Sequence, residues 1–167
     1  MKKMFLYIMI TIFFIACNFI TEPKQKSYSG ENMFEKIKQD TIKIEFGNQF
    51  ILYWNCVNSK IIKEKNYYTI LENKKNIRSI ADFITNQDIV CNFVCNKETA
   101  LKKGDVAYLF LSENMYIYEF KCLRKQFDVF DLDCSCPRGL LDYIEKNRDL
   151  VFQQVMFCLD NGGMDPR

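Results

Sequence analysis

The residues best able to do chemistry in this chain are its eight cysteines, Cys17, Cys56, Cys91, Cys95, Cys122, Cys134, Cys136 and Cys158. Thiols can hold a metal, attack a substrate or pair with one another. Zinc sites present Cys pairs two to four residues apart, together with His or a second pair. The chain has no His, and "CSC" at 134–136 leaves a single intervening residue, so no structural metal is expected. "DLDCSCPRGLLD" places Asp131, Asp133, Ser135 and Asp142 at the first, third, fifth and twelfth positions of a calcium-loop pattern. The match fails where it matters: Cys136 stands where Gly makes the sharp turn, and Asp142 replaces the bidentate Glu. A nucleophilic Cys or Ser needs a base, and without His the commonest base at neutral pH is missing. There is no G-x-S-x-G, no phosphate-binding loop and no dinucleotide fingerprint. Carboxylates alone can run a glycosidase, but the acids here are scattered, with no pairing legible along the chain. The expectation is a protein that is not an enzyme and carries no cofactor.

Cys17 belongs to a different context. Lys2 and Lys3 precede an apolar run, Met4 to Ala16, that ends in a small residue at a cleavage position. Ile15, Ala16 and Cys17 resemble the lipobox of bacterial lipoprotein leaders, with Phe14 standing where Leu is usual. The resemblance covers about the first tenth of the chain. It implies cleavage before Cys17, a diacylglycerol on its thiol and acylation of its new amino group. An uncleaved anchor, for which the run is just long enough, or plain secretion would export the body equally. Two or three acyl chains, at about 0.8 kcal/mol per buried methylene, make a lasting membrane anchor. Asn18 rather than Asp after the lipidated residue favours, by resemblance to Gram-negative sorting, the outer membrane or cell surface.

Export changes the reading of the other seven cysteines. In an oxidising envelope, Cys56, Cys91, Cys95, Cys122, Cys134, Cys136 and Cys158 are disulfide candidates, and an odd number leaves one thiol over after three bonds. Cys91 and Cys95 are too far apart to bridge along an extended strand, and they pair with each other only in a helix or turn. Cys122 and Cys158 are favoured participants because each ends an apolar element. Connectivity is otherwise open.

The elements that position these residues follow from periodicity. Residues 1–16 read as a signal peptide, 17–30 as a polar tether containing Pro23 and Gly30, and 31–167 as one domain. "ENMFEKIKQ" suggests a short helix with Met33, Phe34 and Ile37 inward. "TIKIEF" alternates Ile42, Ile44 and Phe46, and Gly47-Asn48 separates it from "QFILYWNCV", the signature of a hairpin. The second strand is apolar on both faces and should be central, with Trp54 a core aromatic. "NYYTIL" suggests a third strand. "ENKKNIRSIADFITN" places Ile77, Ile80, Ala81 and Ile84 at helical spacing. "DIVCNFVC" has strand composition. "KKGD" reads as a turn leading to a second hairpin, "VAYLFLS" and "MYIYEFKC", and "QFDVFDLDC" as an edge strand. The closing segment reads as a helix split near "KNRD", with Asp149 capping the second part and Asn161, Gly162 and Gly163 ending it.

Strands in runs with segregated helices predict an α+β domain, an antiparallel sheet with helices packed on one face. Loss of Lys2 and Lys3 reduces the 23 basic residues to 21, against 21 acidic ones. A neutral body gives no reason to expect a nucleic-acid partner. The expected role is therefore a membrane-anchored envelope lipoprotein that binds a protein. One alternative is an immunity or inhibitor lipoprotein that neutralises a toxin or hydrolase, and another is a small envelope enzyme.

Overall fold

The alternation of Ile42, Ile44 and Phe46 forms strand β1 (Thr41–Phe46), which pairs antiparallel with β2 (Phe50–Asn55) in the register Phe46↔Phe50, Ile44↔Leu52 and Ile42↔Trp54. The computed structural model describes residues 40–131 and 134–162; the leader, Cys17, the tether, the expected helix over 31–39 and Gly163 lie outside the described residues. Gly47 turns the hairpin at φ +60°, a backbone state that a Cβ would strain. Ile44, Phe46, Leu52 and Trp54 are buried while Lys43 and Glu45 face outward, as a period of two requires. A third strand, β3 (Lys60–Ile62), pairs with the other side of β2 and makes β2 the central strand.

"NYYTIL" is not that third strand. It is part of helix α1 (Lys65–Leu71), in which Tyr67 and Ile70, three apart, are the buried residues. Its aromatic and β-branched residues favour a strand, but burial at a spacing of three, with the Tyr67 hydroxyl donating to Asn114 Oδ1 at 2.9 Å, selects the helix. Helix α2 (Lys74–Ala81) matches its periodicity: Ile77, Ile80 and Ala81 are buried, and Asn73 Oδ1 accepts from the Lys75 amide at 2.9 Å. Only Ile89–Cys91 of the next apolar segment is extended, as β4, which pairs antiparallel with the short β5 (Leu101–Lys102) in a separate sheet.

The expected second hairpin is helical. "KGDVAYLFLSE" forms α3 (Lys103–Glu113), and every residue from Gly104 to Leu111 is buried. A helix enclosed on all sides has no polar stripe, so its apolar run looks like that of a covered strand. Rather than closing a turn, Gly104 starts this helix: a Cβ there would collide with the Ile84 carbonyl oxygen and lie 2.8 Å from that of Asn86. "MYIYEFKC" contributes α4 (Glu119–Leu123), which ends at Arg124 in the left-handed region, φ +52°. The expected edge strand from Gln126 is irregular over 126–131, held by the Arg138 amide donating to the Val129 carbonyl at 2.7 Å.

The closing segment splits as its sequence suggests, into α5 (Leu140–Lys146) and α6 (Arg148–Asp160). Asn147 rather than Asp149 occupies the cap position, at φ −131°, and Asp149 lies in the first turn of α6. Asn161 and Gly162, at φ +78°, end it. The result is an α+β domain whose core gathers Trp54 and Leu52 from β2, Val106 to Leu111 from α3, Leu140, Leu141 and Ile144 from α5, and Val151 and Val155 from α6.

Three disulfides cross-link these elements: Cys56–Cys91, Cys95–Cys134 and Cys122–Cys158, with Cα separations of 6.0, 5.6 and 5.6 Å. Cys91 and Cys95 pair with different partners. Cys122–Cys158 joins helix α4 to helix α6, not a strand to a helix. Cys136 is the thiol left over, and it is buried.

Candidate binding cleft

A cleft of about 760 Å³ opens beside the short strand β3. Lys60 and Ile61 form one wall, Leu109 and Ser112 of α3 form part of the floor, Tyr118 enters from the position just before α4, and Phe120 enters from α4 itself. The irregular segment contributes Phe127 and Phe130, and Cys136 and Pro137 complete the opposite side. Two segments with the composition of strands therefore build the site without forming strands. Because α4 is short and the 126–131 segment forms no ladder, Tyr118, Phe120 and Phe130 remain 54%, 61% and 64% exposed at its mouth. Trp54 is a core residue as expected, 1% exposed, yet it also reaches the cleft wall, and its indole Nε1 has no hydrogen-bond partner.

Charges around the cleft are balanced and mostly occupied. Lys63 pairs with Glu113 at 2.6 Å, Ser112 Oγ donates to Glu119 Oε1 at 2.5 Å, and Gln126 Nε2 donates to Asp128 Oδ2 at 2.8 Å. Lys125 lies 5.7 Å from the centre of the Tyr143 ring. Burial, reinforced by the Asp105 and Asp142 carboxylates, pushes the Cys136 thiol up to about 11. It stays protonated at neutral pH and serves as a small apolar group in the wall. Such a cleft can desolvate apolar side chains against flat rings, and Cys136 is not an activated nucleophile within it.

A second constellation lies in the interior and was missed in the sequence. Asp105, fully buried in the first turn of α3, binds Lys97 Nζ through Oδ2 at 2.5 Å and Arg148 Nη2 through Oδ1 at 2.8 Å. Its Oδ2 also accepts from the Lys102 amide at 2.8 Å. Glu145 bridges the same cations, to Arg148 at 2.6 Å and Lys97 at 3.1 Å, and it also binds Lys102 Nζ. Burial raises the Glu145 pKa, but hydrogen bonds from Lys102, Arg148 and Lys97 outweigh it and hold the carboxyl down to about 2. Arg148 Nη1 further donates to the Ile84 carbonyl at 2.9 Å. Both carboxylates are committed to cations, so the cluster ties elements together. The one sequence signal for it is Asp105, a lone acid opening an apolar run; Lys97 and Arg148 carry none.

The calcium-like residues are not gathered. Asp131 pairs with Arg138 at 2.8 Å, Ser135 Oγ donates to the Ser59 carbonyl at 2.5 Å, and Asp142 Oδ1 accepts from the Glu98 amide at 3.0 Å; Asp133 lies outside the described residues. Among the described residues no group of three or more His, Cys, Asp or Glu is placed to hold a metal, and no helix is long and apolar enough to cross a membrane. Comparison of the chain with protein-family models, with curated proteins and with solved structures finds no match.

Proposed function

We propose that this chain is an exported, lipid-anchored envelope protein that holds a protein partner in the aromatic cleft and performs no catalysis. The observation that carries this reading is the cluster of half-exposed rings, Tyr118, Phe120 and Phe130, around a concave apolar floor. Large rings held open to solvent beside a pocket are the composition of protein-recognition sites, where aromatic anchors supply most of the binding energy. Three disulfides agree with an oxidising, exported location, and Cys17 is the acylation point that the leader implies.

Two experiments test the two halves. A photo-crosslinking amino acid replacing Phe130 on intact cells should trap one discrete protein, whereas the same probe at exposed Lys75 should not. Absence of a discrete adduct at position 130 removes the binding role. Metabolic labelling with a palmitate analogue should mark the wild type and spare Cys17→Ser; equal label in both removes the anchor.

A further inference from the structure

A second concavity, of about 390 Å³, lies between α4 and α6 and is separate from the aromatic cleft. Lys121 and Arg124 stand on its α4 side, Leu150, Gln154 and Phe157 on its α6 side, and the Cys122–Cys158 disulfide closes its base. Its charge is one-sided. Among the described residues no carboxylate lines the groove, and neither Lys121 nor Arg124 has a carboxylate partner. Leu150 and Phe157, two turns apart on one face of α6, are 46% and 68% exposed. Gln154 lies between them, and its Oε1 is buried without a donor.

We propose that this groove binds an acidic, apolar segment of a protein partner. Carboxylates of the segment meet Lys121 and Arg124, where the described residues supply no counter-charge. An apolar side chain lies along Leu150 and Phe157. The Gln154 oxygen is closed off from solvent and takes no part; a concavity between two helices admits a protruding chain segment, whereas a lipid surface, flat at this scale, meets only its rim. The disulfide holds the two helices at a set spacing, so the groove is formed before the partner arrives.

The test uses the purified mature protein and a fluorescein-labelled dodecapeptide of alternating Asp and Leu, followed by anisotropy in about 50 mM salt. The acidic peptide should bind, and its Lys–Leu counterpart should not. The double variant Lys121→Glu/Arg124→Glu should weaken binding by about tenfold or more, and Phe157→Ser should weaken it as well. Lys65→Glu/Lys75→Glu, an equal charge change on α1 and α2, should leave it unchanged. Melting temperature and an intact Cys122–Cys158 bond confirm that each variant is folded. Four results overturn the proposal: no binding of the acidic peptide up to about 1 mM, equal binding of the two peptides, equal binding by folded wild type and double variant, or binding confined to phosphatidylglycerol vesicles. The cleft residues take no part in this measurement, so its failure leaves the crosslinking result at position 130 standing, and the reverse holds too.

Discussion

Asp105 shows how much a single side chain can decide. It is 0% exposed and faces two cations, Lys97 and Arg148, that are themselves buried. Removing one partner of a buried pair leaves the others charged and without compensation, which typically costs about 3–5 kcal/mol. Asp105→Asn should therefore lower unfolding free energy in urea by about that amount, and a change under about 1 kcal/mol would show that the cluster is not structural. Cys136 makes the opposite case, a reactive residue type made inert by its surroundings. Its raised pKa and burial predict no alkylation in the native domain at a pH of about 7.5. In denaturant without reductant a single thiol of the described domain should react, identified by mass spectrometry as Cys136. Two or more labelled positions would break the pairing scheme.

Among elements, the junction of α5 and α6 depends on the ionised state of Glu145. Its folded pKa, about 2, lies below the ordinary 4.5, so its contribution to stability is complete above about 4.5 and is lost as pH falls through about 2. The difference in stability between wild type and Glu145→Gln should accordingly shrink across that window in thermal melts. A difference constant from about pH 6 to about pH 2 would contradict the assignment. Helix α4 has five residues, too few to stand alone, and its docking on α6 relies on Cys122–Cys158. Replacing both cysteines by Ala should cost about 2–4 kcal/mol and raise amide exchange over 118–125 more than over 74–81. Uniform exchange across the two segments would mean that the bond acts only on the unfolded chain.

At the scale of the molecule, the three cross-links span 35, 39 and 36 residues, and the second and third overlap along the chain. Together they tie the end of β2 to the small sheet, the loop after β4 to the segment that follows α4, and α4 to the last helix. Loops of that length close at an entropic cost that each bond removes from the unfolded state. The reduced domain keeps its core of apolar residues, including the enclosed helix α3, but should melt well below the oxidised one. The same bonds fix the walls of both concavities. Cys95–Cys134 anchors the segment that carries Phe130 and Cys136, and Cys122–Cys158 sits under the basic groove.

Where a segment buries one face, its periodicity was enough to read it. The β1–β2 hairpin with Gly47 at its turn, the buried stripe of helix α2, the split of the closing helix near 146–149 and the count of one spare thiol all follow from local chemistry, although the cap at that split is Asn147 and not the expected Asp149. Each depends on a period, a φ preference or a parity that no distant contact alters. Only the tertiary structure decided the rest. Val106 to Leu111 became helix because the surrounding elements enclose it on every side, which erases the amphipathic signal that separates helix from strand. Asn66 to Leu71 became helix because burial of Tyr67 and Ile70 outweighs strand propensity. The partners of each cysteine, the union of Lys97, Asp105, Glu145 and Arg148, and the two concavities flanking α4 arise from residues tens of positions apart. Contacts of that range are set by how packed elements meet, a quantity that no window of the chain contains.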